Sequence, residues 1–387
     1  MRKKASALTV GILGFLFVVT SAELFAAEKK EDSFWDKTKV TGSADLNYNY
    51  NLNRPTTTPV LAAAGAQAAN AYRVFDVSPN TFNVGLVELA LENSPADWIT
   101  FRTDLDFGRD AQFYHARGFG VGTDLFDLQQ AFLVFNVDQV GHGLKIKAGK
   151  FVTMHGMEVI EAAANYNVSR GLLFNYAIPL THTGILGSYS FSDQVSLDLG
   201  VVNGWNNVTD NNNGKSVHAM LTVKPVETVT FLLGGTVGPE QNGNDRTLRT
   251  LIDTSLIYAP TDHWTFAVNY DLGRDGGFGG TNGVADWQGV AAYADWKSGD
   301  LLGLTVRGEY LNDDTGAAGI MAGAATGATA STNLQEGTLT SHLYLADGMD
   351  LRFEYRHDHG NFGSFLRGNG TSRRFQDTLG AQLVYSF

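Results

Sequence analysis

Charged side chains recur in this chain at a spacing of two. Arg102-x-Asp104-x-Asp106, Arg307-x-Glu309 and Arg352-x-Glu354-x-Arg356-x-Asp358 each put both charge signs on one row, and Arg249 with Asp253 adds a shorter set. Lys145 and Lys147 form a cationic pair, and Arg373 and Arg374 adjoin near the end. Spacing of two is the strand period, so each set occupies one face of a sheet. Fixed charges of both signs along a wall can hold water and sort solutes by charge and size. They can equally neutralise one another in structural ladders. Catalysis would need more: a Ser and a His within hydrogen-bond reach, oriented by a third group. No G-x-S-x-G occurs, so no catalytic residue is assigned.

A second constellation lies in Thr153–Leu180, TMHGMEVIEAAANYNVSRGLLFNYAIPL. It is too apolar for a loop in water, because Met157, Val159, Ile160, Leu172, Leu173, Phe174, Tyr176 and Ile178 need something to bury against. If it packs inside a sheet that closes on itself, it sets Glu158, Glu161 and Arg170 in a constriction opposite the Arg and Lys wall. The other reading is a latch onto a neighbouring subunit. Metal chemistry is poorly represented. Asp210-Asn-Asn-Asn-Gly214 has oxygen ligands in a tight turn but lacks the downstream bidentate Glu of a calcium loop. His357 and His359 share a strand face at a solvated end. Gly277–Gly280 opens no helix and cradles no phosphate. No metal or cofactor is expected.

The elements that must position these residues are strands. Val40, Ala44, Leu46, Tyr48 and Tyr50 alternate with Thr41, Ser43, Asp45, Asn47 and Asn49. Val195–Val201, Val217–Val223, Phe266–Leu272, Leu302–Tyr310 and Leu351–Tyr355 repeat the pattern, less cleanly in Phe82–Glu92, Leu128–Asp138 and Gln288–Trp296. The last stretch, Gln376–Phe387, sets Leu379, Ala381, Leu383, Tyr385 and Phe387 on an uncharged row. Strands of this kind, apolar outward and polar inward, span outer membranes. Short turns alternate with long links. The turns are at 94–97, 138–143, 193–194, 226–227, 261–262, 299–300 and 346–349. The links are at 54–80, 111–126, 153–180, 206–214, 239–246, 276–284, 315–331 and 361–371. The spacing predicts sixteen strands, seven short turns and eight long loops. Trp98, Tyr189, Phe191, Tyr258, Trp264, Trp296, Tyr385 and Phe387 gather at the short-turn ends. Tyr48, Tyr50, Phe107, Tyr270, Tyr310 and Tyr355 lie nearer the long loops, giving two interfacial belts.

Composition bounds the compartment. Arg2, Lys3 and Lys4 precede an apolar Leu8–Thr20 and small residues at Ser21–Ala22 and Ala26–Ala27, the layout of a secretory signal peptide over 1–27. The 387 residues contain no Cys, which excludes disulfide staples and a lipoprotein anchor. Net charge is −12, and −14 without the three cations and one acid of residues 1–27, which argues against nucleic acid as partner. No run of 18 apolar residues follows the signal.

Gly149–Ile185, Val201–Ser216, the paired REY-like strands, NLNRP, RVFD and the terminal Phe387 together resemble the β-barrel porin family called OmpL-like or porin-2, over about Lys39 to Phe387. The resemblance implies passive diffusion across the outer membrane and names no solute.

The expectation is an all-β, transmembrane, antiparallel up-and-down barrel over 28–387, with an inward-folded third extracellular loop. Its role is that of a porin for small hydrophilic solutes or ions. The pore lining is expected to comprise Glu158, Glu161, Arg170, Arg102, Asp104, Lys145, Lys147, Arg307, Glu309, Arg352, Glu354 and Arg356. Expected partners are outer-membrane lipid and lipopolysaccharide, the barrel-assembly machinery through Phe387, small solutes, and further copies in a homotrimer. The alternatives are a solute-specific channel of anion or phosphate type, or a non-conducting scaffold that displays its loops.

Overall fold

The computed structural model describes residues 33–55, 69–120, 123–141, 143–278, 283–314 and 331–387. The signal segment at 1–27, residues 56–68 of the first long link and 315–330 lie outside the described residues. Alternation becomes strand throughout: β1 (Thr38–Asn51), β2 (Thr81–Ala96), β3 (Ile99–Phe107), β4 (Phe126–Val137), β5 (Leu144–Val152), β6 (Thr181–Ser192), β7 (Val195–Val202), β8 (Ser216–Val226) and β9 (Val229–Gln241). They are followed by β10 (Asn244–Thr261), β11 (Trp264–Phe278), β12 (Gly283–Ser298), β13 (Leu302–Asp313), β14 (Thr332–Ala346), β15 (Met349–Gly360), the two-residue pair β16 (Phe365–Leu366) and β17 (Ser372–Arg373), and β18 (Phe375–Ser386). Among the described residues one short helix, α1 (Leu172–Tyr176), and brief 3-10 turns accompany them. No helix among the described residues is long and apolar enough to cross a membrane.

Sixteen of the strands, β1–β15 and β18, pair antiparallel in sequence order, and β1 closes onto β18. At that seam Ser43 faces Ser386 and Tyr50 faces Leu379. Closure satisfies every strand's backbone without a free edge, the one way a sheet can lie in hydrocarbon.

Exposure tells the two faces apart. On β11, Trp264, Phe266, Val268, Tyr270 and Leu272 are 36–45% exposed, whereas Ala267, Asn269 and Asp271 are at most 3% exposed. An apolar row that stays uncovered all round a closed sheet is a lipid-facing belt, and the polar row points to the interior. The β2 pattern was blurred for two reasons. A bulge interrupts its register between Ala44 and Leu46, and apolar Leu86 and Ala90 sit among the buried residues.

Two links depart from the reading above. At 276–284, β11 and β12 run on to Phe278 and Gly283, with Gly276 facing Val284. Pro239–Arg246 is not a long loop: β9 and β10 run on to Gln241 and Asn244 and turn through Asn242-Gly243. Gly243 adopts φ +64°, the left-handed conformation that an Asn-Gly hairpin turn uses. The 361–371 link also contains the small β16–β17 hairpin.

Candidate functional site

The inward rows of β13, β14 and β15 meet Thr153–Leu180, and two kinds of hydrogen bond join them. Wall carboxylates accept from main-chain N–H groups. Glu354 takes Val168 N at 2.7 Å and Ser169 N at 3.1 Å, and Glu309 takes Leu172 N. Wall arginines donate to main-chain carbonyls: Arg307 to Ser169 O at 2.7 Å, Arg356 to Arg170 O at 2.7 Å, and Arg352 to Ala162 O at 2.9 Å. The spacing of two that puts Arg307 and Glu309, or Arg352, Glu354 and Arg356, on one face is what allows both kinds at once. Gly171 permits the close approach, since a Cβ there would stand 2.4 Å from the Glu309 carboxylate.

Glu158 is the segment's main charged contact. It lies 2.6 Å from Arg307 Nη1, accepts Gly171 N at 2.6 Å, and is reached by the Tyr293 hydroxyl at 3.3 Å. Arg307 also pairs with Glu336 at 2.9 Å, and Glu336 lies 3.5 Å from Arg356. Arg356 pairs with Asp358, which pairs in turn with Arg73 at 2.6 Å, drawing the 69–80 segment into the same network. Arg307 and Arg356 have no exposed surface. Below the ion pairs, Ile160, Leu172, Leu173, Phe174 and Ile178 pack with Leu251, Trp287, Tyr293, Leu311 and Leu334 of the wall. Trp287 Nε1 donates to Ala177 O at 3.0 Å.

The remaining pore-lining expectations divide. Arg102 and Asp104 pair with each other at 2.9 Å. Among the described residues Glu161 meets no cation, and it accepts from Gln129 at 2.5 Å. Arg170 donates to the Val168 and Ile160 carbonyls and lies 5.1 Å over the Phe75 ring, with no carboxylate in salt-bridge reach among the described residues. Lys147 sits 4.7 Å over Phe132, and Lys145 is exposed on β5. Arg249 pairs with Asp275 at 2.5 Å rather than with Asp253.

Sequence reasoning missed Glu336, Arg73 and a cluster of three buried histidines, His155, His182 and His218. Ring centroids are 3.9 Å apart for His182 and His218, and 5.5 Å for His155 and His218. Each histidine falls on a different element, so no spacing in the chain links them. Among the described residues no group of three or more His, Cys, Asp or Glu is arranged to hold a metal ion. The oxygens at 210–214 have other uses: Asp210 pairs with Lys215, and the Asn213 main chain donates to Asp245 at 2.7 Å. His357 faces outward and pairs with Asp377 at 2.8 Å.

Residues 37–387 match the family model described as "Putative beta-barrel porin-2, OmpL-like". No curated protein matches the chain. Among solved structures, the in-vitro-folded OmpT of Vibrio cholerae in its trimer form aligns with TM-score 0.57 at 12% identity, over 90% of this chain and 99% of that one. The anion-selective porin from Comamonas acidovorans aligns with TM-score 0.58 at 9% identity, over 90% and 99%. Salmonella typhi OmpF, in complex with daunomycin, aligns with TM-score 0.57 at 13% identity, over 90% and 97%. At these identities the likeness is one of fold.

Proposed function

The chain belongs to the OmpL-like β-barrel porin-2 family of the outer membrane, and on that footing we propose that it carries small hydrophilic solutes and ions passively through a lumen narrowed by its own 153–180 segment. The observation that carries this reading is the double set of bonds from Val168–Leu172 to the wall. Loop N–H groups lie on Glu309 and Glu354, and wall guanidiniums lie on loop carbonyls. A segment held from both sides by buried charge is a fixed constriction. Free space of about 20 Å³ remains where Val168–Arg170 approach β1 and β18, lined in part by Asn47, Asn49, Asp110, Thr378 and Gln382. That cavity has room for single waters, and larger spaces of about 280 Å³ beside Ala163–Tyr166 and about 190 Å³ beside Val152–Glu161 adjoin the same segment.

The family and the structures with this fold are channels, and the OmpT form supports a homotrimer here. Outer-membrane lipid and lipopolysaccharide would cover the apolar belt. Phe387, 61% exposed at the end of the closing strand, is the residue the assembly machinery would recognise.

The test is planar-bilayer recording of the purified mature protein. Stable unit currents are expected, and they should enlarge when Glu158→Ala and Arg307→Ala are combined. A protein that inserts yet passes no ions would overturn the channel reading.

A further inference from the structure

The inward face is far from neutral. Among the described residues, sixteen buried side chains are acidic and six are cationic. The acid surplus of the composition is therefore carried inward, where each uncompensated carboxylate is costly. The cations are largely spent on the pairs already described: Arg307, Arg352 and Arg356 on β13 and β15, Arg73 on Asp76 and Asp358, and Lys150 on Asp127.

What remains are carboxylates with no cation in salt-bridge reach among the described residues. Asp45 and Asp106 belong to β1 and β3, and the half-buried Glu88 of β2, which accepts from Ser43 at 3.4 Å, lies on the same inward side. Asp253 and Asp271 belong to β10 and β11, and are direct cross-strand partners. Like charges set opposite one another destabilise a sheet. Asp253 accepts from Asn269 at 2.8 Å and from Gly156 N at 3.1 Å, which uses one of its oxygens only. Its other oxygen, both oxygens of Asp271, one of Asp45 and one of Asp106 are buried without any hydrogen-bond partner. His155, whose Nδ1 lies 4.0 Å from Asp253, is the cationisable neighbour of the pair. Unpartnered buried carboxylate oxygens therefore lie on both sides of the barrel and leave its inner wall with a surplus of acidic groups.

From this we infer that the lumen selects for cations, and that Asp45, Glu88, Asp106, Asp253 and Asp271 are the residues that set the sign. The inference rests on the channel reading and narrows its solute class to inorganic cations and small cationic solutes. Rings of acidic side chains in a narrow, low-dielectric passage favour cations by the same electrostatics that make an isolated buried carboxylate unfavourable. The summed field of these carboxylates, acting across the wall rather than by direct contact, favours a cation in the passage and disfavours an anion. The shared barrel fold does not fix this property, since one structure of the same fold is an anion-selective porin.

Reversal potential in a KCl gradient tests the inference on the full mature protein in a planar bilayer. The permeability ratio of K⁺ over Cl⁻ should be at least about fivefold at low salt, and should fall as KCl is raised and the fixed charges are screened. Combining Asp253→Asn with Asp271→Asn, and separately Asp45→Asn with Glu88→Gln, should lower the ratio while currents persist. The salt series needs no variant, so it stands even if a substitution prevents folding. A ratio near or below one in the unmodified protein overturns the inference and leaves the channel reading intact. Carboxylates neutralised by bound protons would give that result. Absence of any current would instead remove the reading on which the inference rests.

Discussion

Arg307 has no exposed surface, and its guanidinium is shared between Glu158 at 2.6 Å, Glu336 at 2.9 Å and the Ser169 carbonyl. Truncating it to Ala leaves Glu158 buried without its cation and Glu336 with only Arg356 at 3.5 Å, which costs about 3–5 kcal/mol. The expected result is a urea-unfolding midpoint well below that of the unmodified barrel, together with larger and noisier currents as Glu158 loses its anchor. Replacing Arg307, Glu158 and Glu336 together by Leu or Met should cost less than Arg307→Ala alone, because Glu158 and Glu336 then leave no buried charge behind and Glu309 loses only its looser 3.9 Å contact. Equal losses for the two variants would show that the network is not what holds the segment. At this scale the chain was half legible. The Arg-x-Glu spacing exposed Arg307 and Glu309 as an inward pair, and the apolar 153–180 segment pointed to Glu158. Glu336 was hidden because its strand, TNLQEGTLTSHLYLA, carries Asn333, Gln335 and Ser341 on the outward row. With both rows polar at one end, alternation gives no signal. Arg170 and Glu161 were expected to face charge across a gap; backbone carbonyls and Gln129 took those places, and main-chain partners leave no trace in side-chain spacing.

Strands were the most legible elements, because a lipid-facing row must be apolar at every second position. That requirement makes a direct prediction. Val268 is 45% exposed in the middle of β11, and Val268→Arg should cost about 2–4 kcal/mol in refolding titrations into vesicles. Links were read less well. Pro239–Arg246 looked like a loop because Pro, Gly and Asn are frequent in it, yet Asn242-Gly243 is itself a two-residue hairpin signal. A Val at Gly243 would have to hold φ near +64° and should lose about 1–2 kcal/mol, visible as faster proteolysis at this tip. If the proposed constriction is right, the 153–180 segment is the element on which conductance should depend. Replacing 158–171 by a Gly/Ser linker should raise unit conductance severalfold while the barrel still migrates as folded protein in unheated gel samples. An unchanged conductance would mean that the segment does not narrow the path.

The molecule as a whole is a ring of sixteen antiparallel strands whose outer surface is apolar and whose inner surface is acid-rich. The ring was readable from the count of alternating segments and the order of short and long links. The inner charge imbalance was not, because pairing across strands far apart in sequence decides which carboxylates end alone. Asp253 and Asp271, for example, are eighteen positions apart and become neighbours only through the β10–β11 register. The seam between β1 and β18 has a consequence for biosynthesis. The ring cannot shut until its final dozen residues have arrived, so a product cut short anywhere before Phe375 keeps two raw margins of unsatisfied amides. Neither water nor lipid tolerates that pair for long, and quality control by degradation would act on the nearly finished chain as readily as on a short fragment.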